Sequence, residues 1–312
     1  MILYQFIMDT CNVIMKYRAQ LLTRREDANR SDYGKLLVIG GSAGMAGAAF
    51  LSGLAAFRAG MGMVRFLGPE ENRAILQTLL PEAMYTMWPS EDPEAFRKAV
   101  SWATHVIAGP GLSTDPAAWE KIRLLMEEDL SGKKLVLFDA DALNIIARER
   151  IDLKGLSEAV RTDGMSGAKR ETNVVITPHI GEMARLTGLS AEEILKDPSG
   201  TAAAYSKAHG CVTVLKNHVT YISSPSGDVF INRSGHPAMA KAGSGDVLTG
   251  VIAGMTAITG ADVFGSAAAG TYIHGRAGTI SAQQKGAHSV LARDIAENVS
   301  EALKEIEHEQ NL

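Results

Sequence analysis

Short runs of apolar residues recur along the chain, separated by longer stretches of mixed composition. The runs are rich in β-branched side chains and lack the strict alternation of a half-exposed strand, so each predicts a strand buried on both faces. They occupy residues 36–39, 63–66, 105–108, 135–138, 174–176 and 212–215. The stretches between them, such as 116–124 and 181–187, predict helices. Together they predict an α/β fold, with a doubly wound, mainly parallel sheet and helices on both faces.

The pattern changes in the C-terminal third of the chain. Residues 221–223 and 229–231 flank a turn-forming Pro-Ser-Gly-Asp segment, which predicts an antiparallel hairpin. Beyond it, the apolar spacing predicts three packed helices, at residues 247–258, 266–280 and 290–306. No stretch reads as a linker between two folding units, so residues 33–312 are predicted to form a single domain.

Three segments need separate interpretation. Residues 1–20 are apolar in places but lack the early Lys or Arg of a secretory signal, and we expect residues 1–32 to form an N-terminal helical extension. Residues 36–57 carry no charge and are long enough to cross a bilayer, but an internal Gly-Gly-Ser turn predicts a strand, a turn and a helix instead. The polar segment 161–173 predicts a long exposed loop.

Charge and cysteine content exclude several functional classes. The 31 Lys and Arg against 35 Asp and Glu give a net charge of −4, so no cationic field is available for nucleic acid or an anionic membrane. The two cysteines, Cys11 and Cys211, form no C-x-x-C pair, which argues against a disulfide framework or zinc ribbon and predicts a cytoplasmic protein. The expected partners are small molecules or proteins.

Glycine is the compositional anomaly, with 31 of 312 residues, where about 7% is usual. Three glycine-rich turns stand beside predicted strands or helices, at residues 40–47, 109–111 and 243–246. None matches the G-x-G-x-x-G or the G-x-x-x-x-G-K-[ST] signature of nucleotide-binding proteins. Glycine-rich turns nevertheless let the backbone approach a ligand closely.

The third turn is the most informative. Gly243, Ser244 and Gly245 place unhindered backbone N–H groups ahead of a predicted helix, whose dipole adds partial positive charge, so this turn predicts an anion hole. Asp246 has two interpretations. It is either the N-cap of that helix or a general base that takes a proton from a substrate hydroxyl while the amides stabilise a transferring phosphoryl group.

The motifs resemble those of a known family. The segment from Ala242 to Gly250 is similar to the anion-hole motif of ribokinase-like kinases, and the other motifs narrow the resemblance to the NAD(P)H-hydrate dehydratase family. They are Gly-Gly-Ser at 40–42 with Gly-Ala at 47–48, Ala-Gly-Pro-Gly-Leu at 108–112, Asp-Ala-Asp-Ala-Leu-Asn at 139–144 and Thr-Pro-His-Ile-Gly-Glu-Met at 177–183. Any one of these is weak evidence, but the ordered set is specific.

The resemblance implies a ribokinase-like catalytic domain at residues 33–312 that repairs hydrated nicotinamide cofactors. ADP would phosphorylate the hydroxyl of NADH hydrate or NADPH hydrate, and loss of phosphate would regenerate NADH or NADPH and leave AMP. Bacterial family members use ADP and eukaryotic ones ATP, and Mg²⁺ would arrive with the nucleotide. A homotetramer is common in the family. A separate hydrate epimerase would be the functional partner, since only about 30 residues precede the first predicted strand, too few for another α/β unit.

The resemblance also assigns site residues. Ala48, Gly111 and His179 would contact the hydrate, together with Asp246, which would act as the base. The nucleotide would be held by Lys216, Asn217, His218, Val219, Thr220 and Gly245.

Several of these residues have a structural alternative. Lys216 alone would be a solvated strand end, and His179 alone a helix-start residue. Asp139, Asp141 and Asn144 offer the oxygen atoms that Mg²⁺ prefers, but the last two fit equally well at a helix start. We therefore assign no metal ligand from the sequence.

The chain departs from the family pattern at three positions. Asn217 stands where the family usually has Gly, which predicts a less permissive backbone at the nucleotide site, and His236 and Ala238 replace Asn and Gly of a second motif. Two other functions remain open at this point. One is a ribokinase-like kinase of a small metabolite or vitamin precursor; the other is a non-catalytic nucleotide-binding regulator in which Asp246 only caps its helix.

Overall fold

The computed structural model describes residues 6–8, 24–88, 94–160, 172–260 and 262–308. Within these residues, ten strands form one sheet. The strands are β1 (Phe6–Met8), β2 (Lys35–Ile39), β3 (Met63–Gly68), β4 (Met84–Met87), β5 (His105–Ala108), β6 (Leu135–Phe138), β7 (Val174–Ile176), β8 (Val212–Leu215), β9 (Thr220–Ser223) and β10 (Asp228–Asn232).

The sheet has the order β1-β10-β9-β8-β7-β6-β5-β2-β3-β4. The strands from β2 to β8 are all parallel to their neighbours in this part of the sheet. The strand β9 is antiparallel to both β8 and β10, which confirms the predicted hairpin. The order reverses between β2 and β5, and open α/β sheets bind their ligands at such a switch point, beyond the carboxyl ends of the strands.

Helices cover both faces of the sheet and bury two separate apolar clusters. Alternate residues of β2 show this, because Leu36 and Val38 belong to one cluster and Leu37 and Ile39 to the other. The helices are α1 (Ala46–Arg58), α2 (Glu71–Leu79), α3 (Glu94–Trp102), α4 (Pro116–Glu127), α5 (Asp141–Glu149), α6 (Leu153–Ala159), α7 (Ile180–Thr187), α8 (Ala191–Lys196), α9 (Pro198–His209), α10 (Ser244–Thr259), α11 (Val263–Lys285), α12 (Ala292–Glu297) and α13 (Val299–His308). The predicted doubly wound, mainly parallel α/β fold is confirmed.

The uncharged stretch 36–57 divides into β2, a turn and α1, as predicted. No helix in the described ranges is long and apolar enough to cross a membrane.

Three local predictions need correction. Phe6–Met8 form the strand β1 on the edge of β10, where the sequence predicted a helical extension; an open strand edge offers hydrogen bonds that a short apolar segment can satisfy. Residues 24–32 form turns, and the rest of the extension lies outside the described residues. The last predicted helix is two, α12 and α13, because Asn298 interrupts it and donates its side-chain amide to Ser281 and Gln284 of α11.

The segment predicted as an exposed loop lies mostly outside the described residues. Its last two residues, Thr172 and Asn173, are buried. The Asn173 side chain donates to the backbone oxygen of Lys133 at 2.7 Å, so this end of the segment is anchored against the sheet.

Glycines allow the helices α1 and α10 to pack at very short distance. A Cβ on Gly250 would lie 2.8 Å from the backbone nitrogen of Ala56 and 2.9 Å from the Cβ of Ala55. One on Gly254 would lie 2.8 Å from the oxygen of Ala59. All three distances are shorter than real Cβ atoms show, so only glycine fits at these two positions of α10.

We predict that Gly254→Ala lowers the free energy of unfolding by about 1–3 kcal/mol, because the added methyl group overpacks a close helix interface. Gly155→Ala, in α6, is the matched control, since the new Cβ would lie 3.9 Å from its nearest neighbour, the Asp152 Oδ2. This substitution should be neutral or slightly stabilising. Urea unfolding measures both. Equal effects of the two substitutions would show that α1 and α10 tolerate wider spacing.

Candidate active site

Two glycine-rich turns meet at the switch point of the sheet. The backbone N–H of Gly41, after β2, donates to the oxygen of Pro110, after β5, at 2.9 Å. The N–H of Ser42 donates to the oxygen of Gly111 at 2.6 Å. The buried side chain of Asn72, from α2, donates to the oxygen of Ser42 at 3.1 Å and so anchors the first turn.

The structure brings Ala48 and Gly111 together. Gly111 has a φ of 58°, and a Cβ added to it would lie 2.9 Å from the Cβ of Ala48 and 2.9 Å from the oxygen of Met45. A side chain at position 111 would therefore both strain the backbone and displace the start of α1. Ala48 and Gly111 therefore lie against each other, one in the first turn of α1 and the other after β5.

A buried ion pair connects the ends of β6 and β8. The Lys216 Nζ lies 2.6 Å from the Asp139 Oδ1, and the Thr177 hydroxyl donates to the same oxygen at 2.6 Å. The Asp139 side chain is 2% exposed and that of Lys216 19%. Burial alone lowers the pKa of Lys216, but the carboxylates around it, Asp139 first, outweigh burial and raise the pKa above its ordinary value. The interpretation of Lys216 as a solvated strand end is wrong.

The predicted anion hole lies at the start of α10, beside this ion pair. Gly243 is the N-cap, with a φ of 92°, and the helix begins at Ser244. The first amides of a helix have no acceptor within it and are free to bind an anion. A Cβ on Gly245 would lie 3.4 Å from the Lys216 Nζ and 3.8 Å from the Asp139 Oδ2. An anion bound at these amides would therefore also meet the lysine.

Asp246 lies in the first turn of α10 but is not its N-cap, because Gly243 is the N-cap and Asp246 is the third residue of the helix. The N-cap interpretation of Asp246 is therefore wrong. Burial raises the pKa of Asp246 to about 7, with a further increase from Asp139, while Lys216 opposes the rise. A carboxyl group with a pKa near neutrality can both accept and return a proton at physiological pH, which suits a general base.

His179 is the N-cap of α7. Its Nδ1 accepts from the backbone N–H groups of Gly181, at 2.9 Å, and Glu182, at 3.3 Å. Both acceptor bonds assign the neutral ring proton to Nε2. Burial, followed by the charges of Lys216 and Arg185, lowers the pKa of His179, so the ring is neutral. The structural interpretation as a helix-start residue is confirmed. The side chain is about half exposed, and its Nε2 lies 3.4 Å from the Glu182 Oε1.

Two further titratable residues lie at the site, and sequence reasoning missed both. Glu182 is 5% exposed, accepts from the His179 N–H at 2.8 Å, and has its pKa raised to about 7 by burial. His274 of α11 has its Nε2 3.4 Å from the Ser244 hydroxyl, and burial lowers its pKa to about 4. Glu182 had a signal, as part of the 177–183 string, whereas His274 stood among eight scattered histidines.

The segment predicted to hold the nucleotide forms the turn between β8 and β9. Lys216 is hydrogen-bonded through its N–H to the oxygen of Pro178 at 2.8 Å, which aligns the turn with the end of β7. The side chain of Asn217 accepts from the N–H of His218 at 2.8 Å. Val219 is buried and Thr220 is half-buried, so the turn presents backbone and a hydroxyl group next to Lys216.

The departures from the family pattern fit the backbone. Among the described residues, the non-glycine residues with positive φ are Ser113, Ala140 and Arg150. Asn217 is not one of them, so its backbone needs no conformation reserved for glycine. The expected loss of backbone freedom therefore does not arise there. His236 takes the N-cap of a 3₁₀ turn, Pro237–Met239, and its Nδ1 accepts from the N–H of Ala238 at 3.1 Å.

The acidic residues of the site do not form a metal cage. Asp139 is paired with Lys216, and the Asp141 Oδ2 accepts from the backbone N–H of Ser113 at 2.8 Å. In the part of the chain that is described, no cluster of three metal-ligating side chains occurs. Mg²⁺ bound to a nucleotide needs no such cluster, since the phosphates and water supply most of its ligands.

Comparison with known proteins identifies the family. A family model described as NAD(P)H-hydrate dehydratase matches residues 36–301. The chain belongs to the NAD(P)H-hydrate dehydratase family. The family prediction made from the glycine turns and the 177–183 string is therefore confirmed.

Relatives within the NAD(P)H-hydrate dehydratase family are of two lengths. An ADP-dependent (S)-NAD(P)H-hydrate dehydratase of Bacillus subtilis is 32% identical, over 93% of this chain and 96% of the relative. A bifunctional NAD(P)H-hydrate repair enzyme of Moorella thermoacetica is 36% identical, over 94% of this chain but only 53% of the relative. The chain thus spans about half the length of the bifunctional relatives it matches.

Solved structures confirm the ribokinase-like fold. A B. subtilis ADP/ATP-dependent NAD(P)H-hydrate dehydratase, crystallised with ATP and Mg²⁺, superposes with a TM-score of 0.77, is 29% identical, and covers 96% of this chain and 98% of its own. A ribokinase-like superfamily protein of Enterococcus faecalis gives a TM-score of 0.76 at 25% identity, over 93% of this chain and 94% of its own.

The raised pKa of Glu182 predicts a pH-dependent stability. The folded state keeps this proton up to about pH 7, while the unfolded state loses it near the ordinary value of 4.5. The free energy of unfolding therefore falls as the pH rises through this window, by at most about 3 kcal/mol from this group. Glu182→Gln keeps an acceptor for the His179 N–H but cannot ionise, so it should reduce the stability difference between about pH 5 and pH 8.

Glu193→Gln is the matched control for this experiment. Glu193 has the same capping role at the start of α8 but is exposed, and backbone hydrogen bonding lowers its pKa. Because the pKa of Glu193 is lowered rather than raised, the variant should keep the wild-type difference in urea unfolding. An unchanged difference in Glu182→Gln would mean that Glu182 titrates like an exposed carboxyl group.

Proposed function

We propose that the chain is an ADP-dependent (S)-NAD(P)H-hydrate dehydratase, which returns NADH hydrate and NADPH hydrate to NADH and NADPH. The observation that carries the proposal is the position of Asp246. A carboxyl group with a pKa of about 7 follows the amides of the α10 start and lies next to the Lys216 ammonium. A base, an anion hole and a cation together are the groups that phosphoryl transfer to a hydroxyl needs.

The first step transfers the terminal phosphoryl group of ADP to the hydroxyl of the hydrate. The hydroxyl oxygen forms a bond to the β-phosphorus, the bond between that phosphorus and the bridging oxygen breaks, and AMP leaves. Asp246 takes the hydroxyl proton. The amides at Gly245 and the ammonium of Lys216 stabilise the negative charge on the group in transfer.

The second step is an elimination. Hydroxide is a poor leaving group and phosphate a good one, so the phosphorylated hydrate loses phosphate together with a proton from the neighbouring ring carbon, which forms the C=C bond of the dihydropyridine. The net reaction removes one water from the hydrate and converts ADP to AMP and phosphate. Asp246 is protonated in the first step. Its pKa, about 7, is close enough to physiological pH for it to release this proton before the next cycle.

The remaining predicted residues supply binding. Ala48 and Gly111, which lie against each other at the switch point, would contact the hydrate together with the ring of His179. The turn from Lys216 to Thr220 and the amide of Gly245 hold the nucleotide. Mg²⁺, which supplies charge neutralisation when bound, would be carried by the nucleotide phosphates. The homotetramer, the cytoplasmic location and the separate hydrate epimerase stay predictions.

We predict that NADH absorbance is regained when NADH hydrate and ADP are mixed with the protein, and that Asp246→Asn lowers turnover by roughly 10² to 10⁴, the typical contribution of a positioned base. Nucleotide affinity, measured by calorimetry, should survive the substitution, because the amides and Lys216 remain. ATP is tested in parallel as donor.

Three outcomes would contradict the proposal in whole or in part. Absence of regained NADH with both donors would reject dehydration. A phosphorylated product that accumulates without NADH, from another hydroxylated metabolite, would favour a ribokinase-like kinase. Wild-type turnover in Asp246→Asn would reject the base and favour a nucleotide-binding role without catalysis.

A further inference from the structure

A negative charge lies beside the predicted anion hole, where it opposes the binding of phosphate. Asp139 Oδ2 would be 3.8 Å from a Cβ on Gly245, and the side chain is 2% exposed. A buried carboxylate is costly unless a cation and hydrogen bonds compensate it. Lys216 and Thr177 supply both, each at 2.6 Å from Oδ1.

The same lysine faces the incoming phosphoryl group. Its Nζ would be 3.4 Å from a Cβ on Gly245, so the ammonium and the carboxylate of Asp139 both lie beside the first turn of α10. A lysine side chain has four rotatable bonds and no fixed direction of its own. The bond to Asp139 therefore determines where the charge is placed before the nucleotide arrives.

We propose that Asp139 is a positioning residue, which holds the Lys216 ammonium at the start of α10, and that the two opposite charges act as one unit beside Asp246. This inference rests on the proposed role of Asp246 as the base. It assigns Asp139 no contact with substrate.

The electrostatics of Asp246 support this arrangement. After burial, the largest influences on its pKa are Asp139, which raises it, and Lys216, which lowers it; Asp141 adds a smaller increase. All three lie at the carboxyl edge of the sheet or in the first turn of α5. The two charges therefore act on Asp246 in opposite directions, and removal of one leaves the effect of the other on the pKa of Asp246 uncompensated.

The other ionisable groups around the site are the carboxyl group of Glu182, two imidazole rings, and the guanidinium groups of Arg185 in α7 and Arg293 in α12. Glu182, of α7, acts on Lys216, and burial raises the pKa of Glu182 to about 7. The pKa values of His179, at the start of α7, and His274, of α11, are lowered first by burial. From α12, the Arg293 guanidinium lies 5.3 Å from the centre of the Phe50 ring. These groups are common to every variant compared below.

The test compares Asp139→Asn, Lys216→Met and the double variant. Asp139→Asn should move the acid limb of the pH profile of kcat/KM to lower pH, and Lys216→Met should move it to higher pH, each by about one unit, the usual effect of a charge a few ångströms away. The double variant should lie near the wild type. Lys216→Met should also raise the KM for ADP about ten-fold or more. Asp139→Asn keeps the ammonium but removes the contact that positions it, so it should raise this KM by a smaller factor.

A direct titration keeps the test independent of turnover. In protein with ¹³C-labelled Asp, the carboxyl resonance lost in Asp246→Asn identifies Asp246, and its pKa is read in each variant. Asp141→Asn is the matched control, because Asp141 is bonded to the Ser113 N–H rather than to Lys216; it should lower the pKa of Asp246 less than Asp139→Asn does.

The result that overturns the inference is a shift in the same direction, or no shift, in the two single variants of an active protein. A purely structural ion pair would give that result, since both variants would then only lose stability. If Asp139→Asn does not fold, the effect of Asp139 on the pKa of Asp246 is measured by comparing Lys216→Met with the double variant. If Lys216→Met does not fold, it is measured by comparing the wild type with Asp139→Asn. An inactive wild type with opposite shifts would reject the proposed function and leave the electrostatic coupling in place.

Discussion

The buried ion pair between Lys216 and Asp139 is the interaction on which the candidate active site depends. It joins the ends of two strands that are not neighbours, β6 and β8, across β7, whose following residue Thr177 bonds to the same carboxylate. The pair is close to the start of α10, so it places a cation beside amides that already favour an anion. The carboxylate that fixes the lysine also raises the proton affinity of the base. In the proposed function, this one pair would contribute to both nucleotide binding and proton transfer.

Close helix packing positions the base against the substrate side of the site. Gly250 lets α10 approach α1, and the buried hydroxyl of Ser52 lies 3.0 Å from both the Asp246 backbone oxygen and the Thr249 Oγ1. Ser52 is one turn after Ala48 on α1, so the helix that carries a predicted substrate contact also holds the backbone of the base. The glycine excess of the composition has a physical use here, since a side chain at the interface would separate the two helices.

The sequence predicts the parallel strands well because burial on both faces leaves continuous apolar runs. The edge strands β1 and β4 carry no continuous apolar run. The strand β4 is half-exposed, and β1 lies in a segment for which the sequence predicts a helix. The site divides in the same way. Asp246 and the glycine turns are visible as local motifs, but the partnership of Lys216 with Asp139 joins residues far apart in the chain, and His274 reaches Ser244 only through the packing of α11 on α10. Such pairs follow from topology, which no local pattern contains.

The central claim is that the hydroxyl oxygen of the hydrate leaves as part of phosphate. The most direct measurement uses NADH hydrate labelled with ¹⁸O at that hydroxyl, together with ADP, and determines by mass spectrometry where the label goes. Phosphorylation of the hydroxyl before the elimination predicts one ¹⁸O atom in the inorganic phosphate for each NADH and each AMP formed. Label found in water, with unlabelled phosphate, would contradict it, because the hydroxyl would then have left without being phosphorylated.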